Sequence, residues 1–171
     1  MKTTIVILAA GEGTRMKSST PKSLHRVAGK SMLRHIVDTT SNIEPEQLMV
    51  VHSPNAEDTI KEELFETKTI FVEQDRPLGT GHALRAAHPS IEKNNAVIVL
   101  LGDVPLIRQR TINQLKNNLS DNKLAILTTE VEKPKGYGRI LRDDKGHIKA
   151  LSLIHNRPSR PPPAGRSRWS P

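Results

Sequence analysis

Residues 4–32 read TIVILAAGEGTRMKSSTPKSLHRVAGKSM. Thr4 to Leu8 form a short, continuous apolar run, which predicts a strand buried on both faces. Gly11 and Gly13 follow at once and predict a tight turn, since glycine reaches positive φ and its missing Cβ lets main-chain N–H groups approach a polyphosphate. Such donors contribute only ~0.3–1 kcal/mol each when exposed. They orient a triphosphate but do not balance the charge of a departing pyrophosphate. Arg15 and Lys22 can: arginine is permanently charged and grips phosphate bidentately, and lysine is a compact charge able to follow the transferring phosphoryl group. Pro21 stiffens the backbone that carries Lys22. A lone Gly-x-Gly is ordinarily a turn with solvated charges; Thr14-Arg15-Met16 and Pro21-Lys22 at these offsets favour a phosphate site. No Gly-Lys-Ser/Thr follows, so this is not the Walker loop. Arg15 stands near the place of the third glycine of the dinucleotide fingerprint, so it is not that motif either.

Further strand-like runs lie at Leu48–Val51, Thr69–Val72, Ala96–Leu101 and Leu124–Thr128. Between them apolar residues recur at helical spacing: Met32, Leu33, Ile36 and Val37; then Ile60, Leu64 and Phe65; then Leu84, Ala87 and Ile91; then Ile112, Leu115 and Leu119. Apolar strands alternating with helices predict an α/β, Rossmann-like, mostly parallel sheet with helices on both faces. Ligands of such sheets bind beyond the carboxyl ends of the strands. From Tyr137 the pattern becomes two short strands, Tyr137–Arg142 and His147–Leu153, around Asp143-Asp144-Lys145-Gly146, which predicts a hairpin.

Two more motifs follow strand-like runs. Gln74 offers both a donor and an acceptor, which suits the edge of a base. Gly79 and Gly81 permit close approach, and Thr80 is expected to begin a helix and to cap its free N–H groups. His82 reads as a packing or hydrogen-bonding residue, because attack by a phosphate needs no strong base. Asp103 directly follows the most apolar strand, Ala96–Leu101. A carboxylate there either binds Mg²⁺ beside phosphate oxygens or caps the next helix.

The phosphate loop with Leu24-His25 and Ala28-Gly29-Lys30-Ser31-Met32, the run Gln74-x-x-Pro-Leu-Gly-Thr-Gly-His-Ala83, Leu101-Gly-Asp-Val-Pro-Leu106 and Gly136-Tyr-Gly-Arg-Ile140 together resemble the sugar-nucleotide pyrophosphorylases. Within them they resemble the bacterial N-acetylglucosamine-1-phosphate uridyltransferase branch, the N-terminal half of a bifunctional enzyme. The resemblance covers about residues 3–150. It implies a sheet of the nucleotide-diphospho-sugar transferase type, and an Mg²⁺-dependent transfer from UTP to N-acetylglucosamine 1-phosphate for cell-wall precursor synthesis. It implies catalytic roles for Arg15, Lys22 and Asp103, with Asp103 on the metal. Gln74, Gly79 and Thr80 would read uracil, and Leu8, Ala9, Ala10, Gly11 and Gly13 would supply loop contacts. Leu101, Gly102 and Asp103 would touch the nucleotide, and Gly138 the sugar. The family's second metal ligand, an asparagine, lies downstream of this match. The glutamate expected soon after the Gly136–Ile140 strand is missing. The domain is therefore expected at 1–151, incomplete at its C-terminal end. A Pro/Arg/Ser-rich tail at 152–171 is expected to be disordered. The family's hexapeptide-repeat acetyltransferase has no counterpart here, so acetyl transfer and the oligomer of the full-length parent are not expected. The alternatives are a pyrophosphorylase for another sugar 1-phosphate and an inactive nucleotide-binding fragment.

Composition narrows the partners. The 171 residues carry a formal net charge of +8, but residues 151–171 hold four arginines and no acid, leaving 22 basic and 18 acidic residues before them, a net of +4. That balance suits an enzyme of polyanionic substrates. Aromatic residues make up 2%, too few for a base-stacking platform, so nucleic acid is not expected as a partner. No apolar run reaches membrane-spanning length, and MKTTIVILAAG runs straight into the glycine loop as a strand would. With no cysteine, neither a disulfide framework nor a thiolate metal site is available, and a cytoplasmic location is expected.

Overall fold

The computed structural model describes residues 2–11, 13, 16–119, 124–133 and 136–152. The chain divides into two compact units, Met1–Leu127 and Thr128–Pro171.

In the first unit the run Thr3–Leu8 is strand β1, and Ile5, Val6 and Ile7 are wholly buried. A short antiparallel pair follows, β2 (Arg26–Val27) and β3 (Lys30–Ser31). It turns on Ala28 and Gly29, both at positive φ, as a two-residue hairpin turn demands. Helix α1 (Met32–Ser41) starts where the Ser31 hydroxyl accepts from the Arg34 N–H at 3.0 Å, a side-chain cap on the first turn. Then come β4 (Gln47–His52), α2 (Glu57–Glu63), β5 (Thr69–Glu73), α3 (Thr80–Ala87), β6 (Ala96–Leu101) and α4 (Gln109–Asn117). The four long strands form one sheet in the order β5-β4-β1-β6, parallel throughout.

The predicted helices cover both faces. Ile5 and Ile7 of β1, with Leu48, Val50, Ile98 and Leu100, pack under Leu33 and Ile36 of α1, Ile60 of α2 and Ile112 of α4. Val6, Met49 and Val51 face Ala83 and Ala87 of α3 on the other side. Val97, Val99 and Leu101 of β6 share that second face yet stay exposed. The chain leaves β1 toward β4 and β5, then returns past β1 to β6. The carboxyl ends of β1 and β6 thus flank the point where the strand order reverses, where such sheets open a crevice. Among the described residues no helix is long and apolar enough to cross a membrane.

Three expectations need correction. Leu124–Thr128 pairs with no strand among the described residues and has no regular structure, because an apolar run becomes a strand only where a ladder edge receives it. Phe65 is 76% exposed: α2 ends at Glu63 and Leu64 occupies the cap position, so the next residue leaves the helical face. Thr80 is the first residue of α3 and not its cap; Gly79 holds that position and no side chain caps the helix.

The second unit contains an antiparallel hairpin, β7 (Arg139–Arg142) and β8 (Ile148–Ser152), within the bounds expected. The Asp143 carboxylate accepts from the N–H groups of His147 at 2.8 Å and Lys145 at 3.0 Å. The His147 N–H is the chief cause that holds this carboxyl below its usual range. Ser152, expected as the first residue of the tail, is instead the last residue of β8; residues 153–171 lie outside the described residues.

Candidate active site

A cavity of about 480 Å³ opens at the carboxyl ends of β1 and β6, bounded on its third side by the connection from β5 to α3. The loop after β1 lines it with Leu8, Ala9, Ala10, Gly11 and Gly13. The Ala9 N–H donates to the Val51 carbonyl at 2.8 Å and the Gly102 N–H to the Leu8 carbonyl at 2.8 Å. Pairing therefore continues past the strand ends and brings two loops together. A Cβ on Gly102 would lie 2.9 Å from the Leu8 carbonyl oxygen and 3.1 Å from Ala9 Cα. Backbone meets backbone there, so only glycine allows the approach.

Gly13 stands at φ +60°, and a Cβ on it would lie 2.7 Å from Lys22 Cβ. The stem of Lys22 thus lies across the bare face of Gly13. Lys22 opens a 3-10 turn, Lys22–Leu24, in which the Leu24 N–H donates to the Pro21 carbonyl at 2.9 Å. The buried side chain of Leu24 anchors that turn in the core. The Lys22 ammonium donates to Asp103 Oδ2, 81 positions away in sequence. The side chains are 41% and 32% exposed, so the pair contributes no more than ~1 kcal/mol and opens readily. Both charges are available to a ligand that offers a better partner to each.

Asp103 sits in the turn after β6, while α4 begins only at Gln109 with Arg108 as its cap. The helix-capping alternative for Asp103 is thereby removed. Asp103 Oδ1 has no protein partner among the described residues. Among those residues there is also no group of three or more His, Cys, Asp or Glu side chains placed to hold a metal. One carboxylate with an unpartnered oxygen beside a glycine loop fits Mg²⁺, which keeps waters and phosphate oxygens around one or two carboxylates. It does not fit an ion caged by protein alone.

Gln74, at the end of β5, is 5% exposed. Its backbone N–H donates to the His52 carbonyl at 2.8 Å. Its side-chain Nε2 donates to the Gly79 carbonyl at 3.2 Å and to His82 Nδ1 at 3.1 Å. Gly79 takes φ +96°, a value that disfavours any side chain. Among the described residues α3 has no side-chain cap, so the N–H groups of its first turn stay open beside Thr80, which lines the cavity.

Gln74, Gly79, Thr80, Leu101, Gly102, Asp103 and Lys22 therefore share the cavity with the loop residues. Two expected residues are not among them: Arg15 lies outside the described residues, and Gly138 belongs to the second unit, just before β7. Met16, Ser23, Pro77 and Ala83 also line the cavity; Met16, Pro77 and Ala83 stand within the motifs read from the sequence, but none of the four was expected as a site residue. The buried Ser23 hydroxyl has no hydrogen-bond partner among the described residues, and its position beside Lys22 was the available signal.

The model of the MobA-like NTP transferase domain matches residues 5–157. The bifunctional protein GlmU of Pseudomonas putida (strain GB-1) is 46% identical over 151 residues, which are 88% of this chain and 33% of that protein. The chain thus spans about a third of the length of this curated relative. Among solved structures, HddC from Yersinia pseudotuberculosis superposes with TM-score 0.68 at 27% identity, over 88% of this chain and 69% of that one. The 4-diphosphocytidyl-2C-methyl-D-erythritolsynthase from Anaerococcus prevotii DSM 20548 gives TM-score 0.65 at 20% identity, over 86% and 63%, a likeness of fold.

Proposed function

Because the chain belongs to the MobA-like NTP transferase domain family, we propose that its cavity binds a nucleoside triphosphate beside a sugar 1-phosphate and transfers the nucleotidyl group between them. The substrates proposed are UTP and N-acetylglucosamine 1-phosphate, with Mg²⁺ as the metal. A phosphate oxygen of the sugar phosphate attacks the α-phosphorus of UTP, the bond to the β-phosphate oxygen breaks, and UDP-N-acetylglucosamine and pyrophosphate result. No proton need be removed from a nucleophile that is already a phosphate anion, so no general base is required. Positioning carries much of the work: holding two polyanions in line can lower the barrier by ~7–11 kcal/mol.

The loop amides around Gly11 and Gly13 receive the triphosphate, and Lys22 follows the transferring phosphoryl group. Arg15 is assigned to the leaving pyrophosphate. Asp103 would hold Mg²⁺, which when bound neutralises charge on the phosphates and polarises the α-phosphorus. Gln74, Gly79 and Thr80 take the base, and Gly138 the sugar. The proposal includes a cytoplasmic location and a product that would feed cell-wall polymer synthesis.

The observation that carries this reading is the pairing of Lys22 with Asp103 between the glycine loop and the end of β6. A cation and a carboxylate from distant parts of the chain, in partial solvent exposure, are what a phosphate-bound metal needs from a protein. The test is release of pyrophosphate from UTP with N-acetylglucosamine 1-phosphate, with and without Mg²⁺. Release should require both the sugar phosphate and the metal, and Asp103→Asn should abolish the metal dependence along with most turnover. Nucleotide binding without release would favour the reading as an inactive nucleotide-binding fragment.

A further inference from the structure

We propose that the Ser23 hydroxyl is a further binding group of the cavity: it donates to a phosphate oxygen of the bound nucleotide, and the free chain holds it unpartnered until that ligand arrives. This rests on the reading of the cavity as a nucleotide site. Among the described residues, two buried side-chain polar atoms have no hydrogen-bond partner, Ser23 Oγ and His25 Nε2. Such atoms are rare in folded chains, and each asks for a water, a ligand or a functional use. Of the two residues only Ser23 lines the cavity, and it is 2% exposed.

The surroundings of Ser23 decide which ligand chemistry fits. It is the middle residue of the turn Lys22–Leu24, and Leu24 fixes that turn in the core. The stem of Lys22 lies against Gly13, where a Cβ would come within 2.7 Å of Lys22 Cβ. The turn and the glycine loop therefore touch one residue away from Ser23, a Cα spacing of about 3.8 Å. Lys22 offers donors alone, and a hydroxyl can donate or accept. A group that serves Lys22 and Ser23 together must bring several acceptors close to one another. Phosphate oxygens meet that demand.

The Ser23 oxygen is shut from solvent in the free chain. Lys22 beside it is 41% exposed and held at its tip by the weak pair with Asp103. A phosphate that draws the ammonium away from Asp103 thus acts on the residue next to Ser23. An unpartnered buried hydroxyl is a penalty carried by the free chain and relieved in the complex. The two states therefore respond oppositely to its removal: the free chain is relieved and the complex is weakened. A serine that only packs, or one whose oxygen holds a buried water, behaves otherwise. Its removal weakens the fold or leaves ligand binding untouched.

The experiment pairs calorimetric titration of the whole chain with UTP and Mg²⁺ with urea unfolding of the free chain, in the wild type, Ser23→Ala and Ser23→Cys. Ser23→Ala should weaken UTP about tenfold, while its urea midpoint equals or exceeds that of the wild type. Ser23→Cys fills the same place with a much weaker donor and should also weaken UTP; it carries the test should the alanine variant not fold. Inorganic triphosphate with Mg²⁺, measured by its displacement of UTP, should lose affinity by the same factor, since it brings the phosphates without base or ribose. UTP affinity within about twofold of the wild type in these variants overturns the proposal. So does a loss of affinity that comes only with a lowered urea midpoint, since the hydroxyl then serves the fold. A loss for UTP with inorganic triphosphate unaffected overturns it as well, because the hydroxyl then meets something other than phosphate. A wild type that binds no UTP is a different failure: it removes the reading of the cavity itself.

Discussion

Lys22 is held by three neighbours of different kinds: the bare face of Gly13 under its stem, the core anchor of Leu24 two residues on, and the Asp103 carboxylate at its tip. The first two are rigid and the third is weak, which suits a side chain that must be aimed but free to change partners. Truncating it should therefore cost chemistry and not stability. In Lys22→Ala, kcat for pyrophosphate release should fall about a hundredfold to a thousandfold, while the midpoint of urea unfolding stays within the error of the wild type. A large loss of stability with activity intact would contradict the assignment. At this scale the glycine and lysine spacing was readable in the chain because each residue has one plain physical reason to be there. Ser23 was not readable and Met16 only as part of its motif, since a serine and a methionine have many uses and only the folded loop turns them toward the cavity. Thr80 was misread as a cap because Gly79, at φ +96°, takes the cap position itself and moves the threonine one place into the helix.

The elements follow from burial. β1 and β4 carry unbroken apolar runs because helices cover both their faces, and the runs were legible for that reason. Where a segment depends on a distant partner, pattern alone fails: Leu124–Thr128 has the composition of a strand but no ladder to join. Helix ends fail similarly, as Phe65 shows, since spacing continues past the point where the backbone stops being helical. The tightest joint between elements is the crossing of β1 and β6 at Gly102. Gly102→Ala places a methyl 2.9 Å from the Leu8 carbonyl oxygen, and neither backbone can retreat without breaking the hydrogen bond between them. Equilibrium unfolding in urea should show a loss of about 1–3 kcal/mol, with nucleotide affinity reduced in parallel because the same joint shapes the cavity floor. An alanine variant as stable as the wild type would mean that the two loops can part freely.

At the scale of the molecule, the parallel sheet brings the loop after β1, the turn after β6 and the cap of α3 into one place, although they lie as far apart in sequence as Gly11, Gln74 and Asp103. That convergence follows from the strand order β5-β4-β1-β6, and strand order is what a linear pattern does not display. The exposed face of β6, with Val97, Val99 and Leu101, and the hairpin of the second unit belong to a chain that spans about a third of its curated relative. The cavity itself is built wholly within the first unit. Its occupancy by a metal–nucleotide complex is the central claim, and calorimetric titration with UTP, in Mg²⁺ and in its absence, tests it most directly. The account predicts saturable binding of one UTP per chain that strengthens at least about tenfold with Mg²⁺ in the wild type and gains nothing from Mg²⁺ in Asp103→Asn. UTP binding that is indifferent to the metal, or a metal effect that survives in Asp103→Asn, would contradict it.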